Sequence, residues 1–206
     1  MFLSALSGGG SGEDAMLRAM FAARKRVFVD LLKWNVPVLA GQYEVDQFDD
    51  PHAVYLVLTD DEGAHLGSAR LLKTERPHIL DTMFRELSEG PVPCGPRIRE
   101  ITRFCLDPTQ NARQRRITRD TLVSALADYA LATGIEHYTG VAELGWLQQI
   151  LAFGWDCEPL GLPQRYGQSL LGALQIHLAP DTPQLLAAAG ILPAVTLDPR
   201  AARRAA

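Results

Sequence analysis

The sequence predicts an α/β fold, a three-layer sandwich in which helices cover both faces of a mixed central sheet. Three observations carry that expectation. The chain has 206 residues of which 47% are hydrophobic, enough to close a sizeable core in one compact domain spanning residues 1–206. Its apolar residues switch between helical spacing and strict alternation. The segments so defined run helix, hairpin, strand, helix, strand, helix, strand, with no internal repeat.

Residues 1–13 read as a flexible lead, because "SGGGSG" at 7–12 has almost no side chain to pack. A helix follows, capped by Ser11 or Asp14, with Met16, Leu17, Met20, Phe21, Val27, Phe28, Leu31 and Leu32 recurring at helical spacing. Arg24 falls inside that apolar stripe and carries a charge toward the protein. "KWNVP" closes the helix, and "GQYEVDQFDD" at 41–50 is an acidic, aromatic loop. Two apolar runs near 53–59 and 65–73 flank an Asp-Glu-Gly turn and form a hairpin. Residues 74–96 hold four prolines and leave room for one helical turn around Leu80–Leu87.

The strand "RIREITRFCLDP" at 97–108 comes next, and then a long helix, "NARQRRITRDTLVSALADYALATG", stopped by Gly134. "EHYTGVA" is a strand and "ELGWLQQILAFG" a short helix. Residues 169–179 form a last long strand, before a terminal helix over about 182–190.

Composition excludes several classes. A formal net charge of −4 argues against a general nucleic-acid binder, which needs a basic face. No apolar run approaches the roughly 20 residues of a membrane span, and "MFLSALSGGGSGED" lacks the basic start of a signal peptide, so a cytoplasmic protein is expected. Cys94, Cys105 and Cys157 stand far apart, in neither disulfide-framework nor zinc-ligand spacing. No metal site is expected.

The charges inside "RIREITRF" need partners, because buried charge is costly unless paired. Alternation puts Glu100 and Arg103 on opposite faces of the strand. A bulge between them would bring both to one polar cluster. Arg24, Arg70 and Arg103 could then meet Asp46, Asp49 and Glu100, three cations against three anions. The plainer reading is a set of separate ion pairs on a solvated edge.

"RKRVFVDLLKW", "YEVDQFDD", "GSARLL" and "REITRF" together resemble the LuxI-type acyl-homoserine-lactone synthases. The family pattern falls on Arg24, Phe28, Trp34, Asp46, Asp49, Arg70, Glu100 and Arg103, all in order within residues 24–106. The resemblance implies a fold related to the GCN5-type N-acetyltransferases. It also implies transfer of an acyl chain from acyl-carrier protein, or acyl-coenzyme A, to the amine of S-adenosylmethionine, which is a substrate and not a cofactor. Lactone closure releases methylthioadenosine.

On that resemblance Glu100 is the general base, with Arg103, Asp46, Asp49, Arg70 and Arg24 as the charged network that orients substrate. Phe28, Trp34, Arg103 and Phe104 would hold S-adenosylmethionine, partly through cation–π contacts. The acyl pocket would be lined by Phe104, Tyr138, Gly140, Val141, Leu144, Trp146, Leu147 and Ile150. Members making 3-oxo products often carry a threonine on the second pocket strand. Spacing back from "FGWD" puts Gly140 there instead of Thr139, which argues against a 3-oxo preference, while Gly140 and Ala142 leave room for a medium-to-long chain. Arg113, Arg115, Arg116 and Arg119 cluster at a helix start, where they would dock phosphopantetheine or an acidic carrier protein. Two rivals are an N-acyltransferase using acyl-coenzyme A on an amino-acid amine, and a binding protein without catalysis.

Overall fold

The computed structural model describes residues 1–7 and 14–206. An eight-stranded sheet organises it. Along the sheet run β1 (Phe2–Ser7), β4 (Val54–Thr59), β5 (His65–Lys73), β6 (Ile98–Leu106), β7 (His137–Glu143), β10 (Ser169–His177) and β8 (Asp156–Pro159), with β9 (Gln164–Tyr166) also on β10. Every pairing is antiparallel except β6 with β7. The sheet is therefore mixed, as expected, and mostly antiparallel. β2 (Val38–Leu39) and β3 (Tyr43–Glu44) form a separate two-stranded ribbon inside the acidic segment.

On one sheet face lies α3 (Ala112–Thr133), with α4 (Leu144–Leu151), α5 (Thr182–Ala188) and α6 (Pro199–Ala205). The Asn111 side chain accepts from the Gln114 backbone N–H, and Gln114 answers on the Asn111 N–H, a capping box that starts α3. Gly134 ends it at φ +74, a left-handed conformation that a Cβ would disfavour. The other face carries α1 (Asp14–Arg24) and α2 (Ile79–Met83). All six residues of β4 are buried, as a strand covered on both faces requires. Among the described residues no helix is long and apolar enough to cross a membrane.

Three expectations change. The proposed flexible lead contains β1. "FLSALS" pairs with β4 over Phe2–Ser7 and buries Ala5 and Leu6, so an edge strand forms before the glycine run. Residues 8–13, including the Ser11 cap, lie outside the described residues, and so does the Asp14 side chain. The first helix does not keep α-helical spacing. After Arg24 it widens into a π-helical turn over Lys25–Leu31, where the Leu32 N–H reaches Val27 O at 2.9 Å. The wider turn keeps Val27 and Phe28 buried and swings Leu31 and Leu32 outward, so these two do not belong to the buried stripe.

The separation of β6 from β7 positions the site. Their register runs from Ile98 opposite His137 to Ile101 opposite Gly140 and then stops. Beyond that point the two strands diverge. A cavity of about 630 Å³ opens between them, walled by side chains from both helical layers.

Candidate active site

A bulge aims the charged residues of β6. Arg70 faces Thr102 and Ser68 faces Cys105, so Arg103 and Phe104 together oppose Ala69 alone. Arg103 takes φ +51, a left-handed conformation that costs a non-glycine residue about 1–2 kcal/mol. Its side chain consequently points to the same side as Thr102. The bulge expected from the sequence is present, at Arg103 itself.

Behind this bulge lies a network of three arginines and three carboxylates. Arg24 donates Nε–H to Glu44 at 2.5 Å and both terminal nitrogens to Asp49 at 2.7 and 2.9 Å. Arg70 donates to Asp46 at 2.6 and 3.0 Å, to Asp49 at 2.7 Å and, through Nε, to Thr102 Oγ1 at 2.9 Å. Arg103 donates to Glu44 at 2.9 Å and to Asp46 at 2.7 Å. The Tyr55 hydroxyl adds a bond to Asp49 at 2.8 Å. Arg24, Arg70 and Glu44 are almost wholly buried. Pairing of this quality is what makes so many buried charges tolerable.

The third carboxylate of the network is Glu44 and not Glu100, which corrects the grouping expected from the sequence. The signal for Glu44 was its place two residues before Asp46, in an acidic stretch that otherwise reads as loop. The short ribbon β2–β3 turns its side chain inward. Burial alone would raise the Asp49 carboxyl. The hydrogen bond from Arg24 and the charges of Arg70 and Arg24 outweigh burial and hold it well below the usual range.

Glu100 is fully buried one turn of pleat away, and it stands at the start of α2. Its two oxygens accept the backbone N–H groups of Ile79 at 2.7 Å and Leu80 at 2.8 Å. Burial pushes its carboxyl up to about 7, against the lowering effect of those two bonds and of Arg70 and Arg103. It also borders the cavity. The carboxyl is thus poised to exchange a proton near neutral pH.

The cavity brings most of the remaining candidates together. Phe28 and Trp34 stack with ring centroids 4.8 Å apart, and the Arg103 guanidinium lies 5.5 Å from the Phe28 ring centre and 6.0 Å from that of Trp34. Trp34 is 37% exposed, which leaves ring surface open to a ligand. Asp46, Arg103 and Phe104 also line the cavity. Farther in, the lining includes Gly140, Val141, Trp146 and Ile150, and Phe104 packs on Trp146 with centroids 5.3 Å apart.

Three acyl-pocket candidates lie elsewhere. Tyr138 sits opposite Arg99, where the strands are still joined, and its hydroxyl donates to Leu126 O at 2.9 Å under α3. Leu147 fills the space left by Gly172, where an added Cβ would fall 2.7 Å from Leu147 Cδ2. Leu144 packs half-buried on the main core. Thr139, set aside in favour of Gly140, borders the cavity as well, and its buried Oγ1 has no hydrogen-bond partner.

The family model for autoinducer synthases matches residues 11–183. The chain belongs to that family. An acyl-homoserine-lactone synthase of Rhizobium etli is 39% identical over 144 residues, 68% of each chain. One from Pseudomonas aeruginosa is 30% identical over 185 residues, 87% of this chain and 90% of the other. Among solved structures, the coenzyme A-dependent acyl-homoserine lactone synthase MesI superimposes with a TM-score of 0.84 at 26% identity, covering 96% of this chain and 100% of its own. LasI does so with a TM-score of 0.78 at 27% identity, covering 90% and 92%. This autoinducer synthase is therefore an acyltransferase, an acyl-homoserine-lactone synthase with a fold like the GCN5-related acetyltransferases.

The arginines at the start of α3 do not act alike in this synthase. Arg119 is half-buried, turned onto Asp120 at 2.7 Å and over the Phe153 ring. Arg116 is exposed beside Asp120 at 3.6 Å. Arg115 reaches the Asp107 carbonyl at 3.3 Å and borders the cavity, and Arg113 is exposed.

Proposed function

We propose that this synthase joins the acyl chain of a phosphopantetheine thioester to the amine of S-adenosylmethionine and then closes the lactone. The reading rests on one arrangement: a carboxyl near neutral pKa, Glu100, at the strand separation, with the Phe28–Trp34 stack at one end of the cavity and an apolar channel at the other. S-adenosylmethionine lies against Phe28 and Trp34, its sulfonium attracted by the ring faces, and its charged groups are oriented by Asp46 and Arg103. Arg24, Arg70, Asp49 and Glu44 hold those two in place. The acyl chain extends past Phe104, Gly140 and Val141 toward Trp146 and Ile150.

Glu100, directly or through one water, takes the proton that the ammonium must lose before its nitrogen can attack the thioester carbon. Attack forms the C–N bond and an oxyanion. Backbone N–H groups left off the ladder at the Arg103–Phe104 bulge stabilise that charge. Collapse expels the thiol. The methionine carboxylate then attacks its own γ-carbon, forming the C–O bond as the C–S bond breaks, and methylthioadenosine leaves as a neutral thioether. That step requires positioning above all. The likeness to MesI favours coenzyme A as donor, and the exposed Arg113, Arg115 and Arg116 suit the phosphates of coenzyme A or an acidic carrier protein.

The test supplies the purified chain with S-adenosylmethionine and either acyl-coenzyme A or acyl-carrier protein, and follows products by mass spectrometry. An acyl-homoserine lactone and methylthioadenosine in equal amounts is the expected result. Acylation of a free amino acid without methylthioadenosine would replace this reading with the N-acyltransferase one.

A further inference from the structure

At the start of β7 and the end of β10, two histidines face each other across neighbouring strands. His137 opens β7 and His177 closes β10, and the two are direct cross-strand partners. Their Nδ1 atoms are 3.1 Å apart and their rings meet edge to face at 89°. On its other side His177 Nε2 lies 3.1 Å from Glu158 Oε1.

With both rings neutral, the contacts fix the tautomers. A carboxylate only accepts, so His177 carries its proton on Nε2 and donates it to Glu158. Its Nδ1 is left with a lone pair, and His137 must supply the Nδ1–H between the rings. This is the arrangement in which a ligating histidine is held by an outer carboxylate, with tautomer and ring orientation both set. Two ring nitrogens on one metal ion, at bonds of about 2.0–2.1 Å and angles between square and tetrahedral, stand about 2.9–3.3 Å apart. The observed separation falls inside that window.

We propose that His137 and His177 chelate one divalent transition-metal ion, with Glu158 positioning His177 from outside. Binding moves the His137 proton from Nδ1 to Nε2, breaks the hydrogen bond between the rings and turns them so that both Nδ1 lone pairs converge on the ion, and no net proton is released. Among the described residues no group of three or more His, Cys, Asp or Glu side chains converges as a cage. Water completes the coordination. A two-imidazole site takes borderline ions such as Cu²⁺, Ni²⁺ or Zn²⁺ over Mg²⁺ or Ca²⁺, and Cu²⁺ most tightly. The ion ties the first residue of β7 to the last residue of β10, so its effect is read as stability.

The experiment titrates Cu²⁺ into the full chain by calorimetry and records the electron paramagnetic resonance spectrum. One ion per chain, a spectrum showing two imidazole nitrogens and a raised Tm are expected. His137→Gln and His177→Gln should each abolish that site, and Glu158→Gln should weaken it by about tenfold. The isolated, exposed His52 serves as control, and His52→Gln should change nothing. Equal binding by wild type and both histidine variants, or a spectrum from oxygen donors only, would overturn the proposal. Should a variant misfold, Cu²⁺ broadening of wild-type amide NMR signals decides the matter. Broadening centred on residues 137 and 177 supports the site, and broadening centred elsewhere refutes it.

Discussion

Glu100 and Asp49 are both buried carboxyls of one site, and their surroundings drive them in opposite directions. Asp49 accepts bonds from two arginines and a tyrosine and stays ionised. Glu100 accepts only backbone N–H groups and is pushed up to about 7. Three predictions belong at this scale. Glu100→Gln should lower acyl transfer by about 10²–10⁴-fold, the usual contribution of a general base, measured as the rate of thiol release. In the wild type, kcat/KM should rise with unit slope as pH approaches 7 and level off above it, because only the ionised form accepts a proton. Asp49→Asn leaves Arg24 and Arg70 short of a charge and should cost about 3–5 kcal/mol of stability, read from urea unfolding.

At the scale of elements, two departures from regular geometry build the site. The π-helical turn at Lys25–Leu31 sets Phe28 beneath Trp34, and the β6 bulge turns Arg103 into the network. The third device is the parting of β6 and β7 after Gly140, where an added Cβ would stand 3.3 Å from Ile101 O. Gly140→Leu should therefore crowd the acyl channel. The expected outcome is a fall in kcat/KM that is greater for long than for short acyl donors, with the affinity for S-adenosylmethionine retained by calorimetry. Equal losses for all donors would mean that Gly140 serves strand pairing and not the channel.

For the whole molecule, pH acts on stability through both kinds of carboxyl. Asp49 has a folded pKa below its unfolded one, so its contribution is present above about 4 and is lost as pH falls further. Glu100 has the reverse sign. Its folded pKa is raised, so the native state binds the extra proton and stability declines as pH climbs from about 4.5 toward 7. Urea unfolding of the intact chain at stepped pH should give a maximum on the acid side of neutrality, and Glu100→Gln should flatten the decline between 4.5 and 7.

The sequence by itself determined the sandwich, the central hairpin, the long helix ended at Gly134 and the eight members of the charged and aromatic set now found around one cavity or its ion-pair network. The elements and the charged members follow from periodicity and from the expense of placing Arg24, Arg70 and Arg103 on apolar elements, both local properties of the chain, and Phe28 and Trp34 follow from the family resemblance. What only the tertiary structure decided depends on contacts between distant segments. β1 is a strand because β4 offers it an edge. Glu44 joins the arginines because the ribbon folds back on α1. Glu100 leaves them because the start of α2, twenty residues upstream of it, arrives with two unpaired N–H groups. Tyr138 leaves the acyl channel because strand separation begins after Gly140, and Leu147 because Gly172 on β10 leaves space for it, boundaries set by packing between segments and written in no single one.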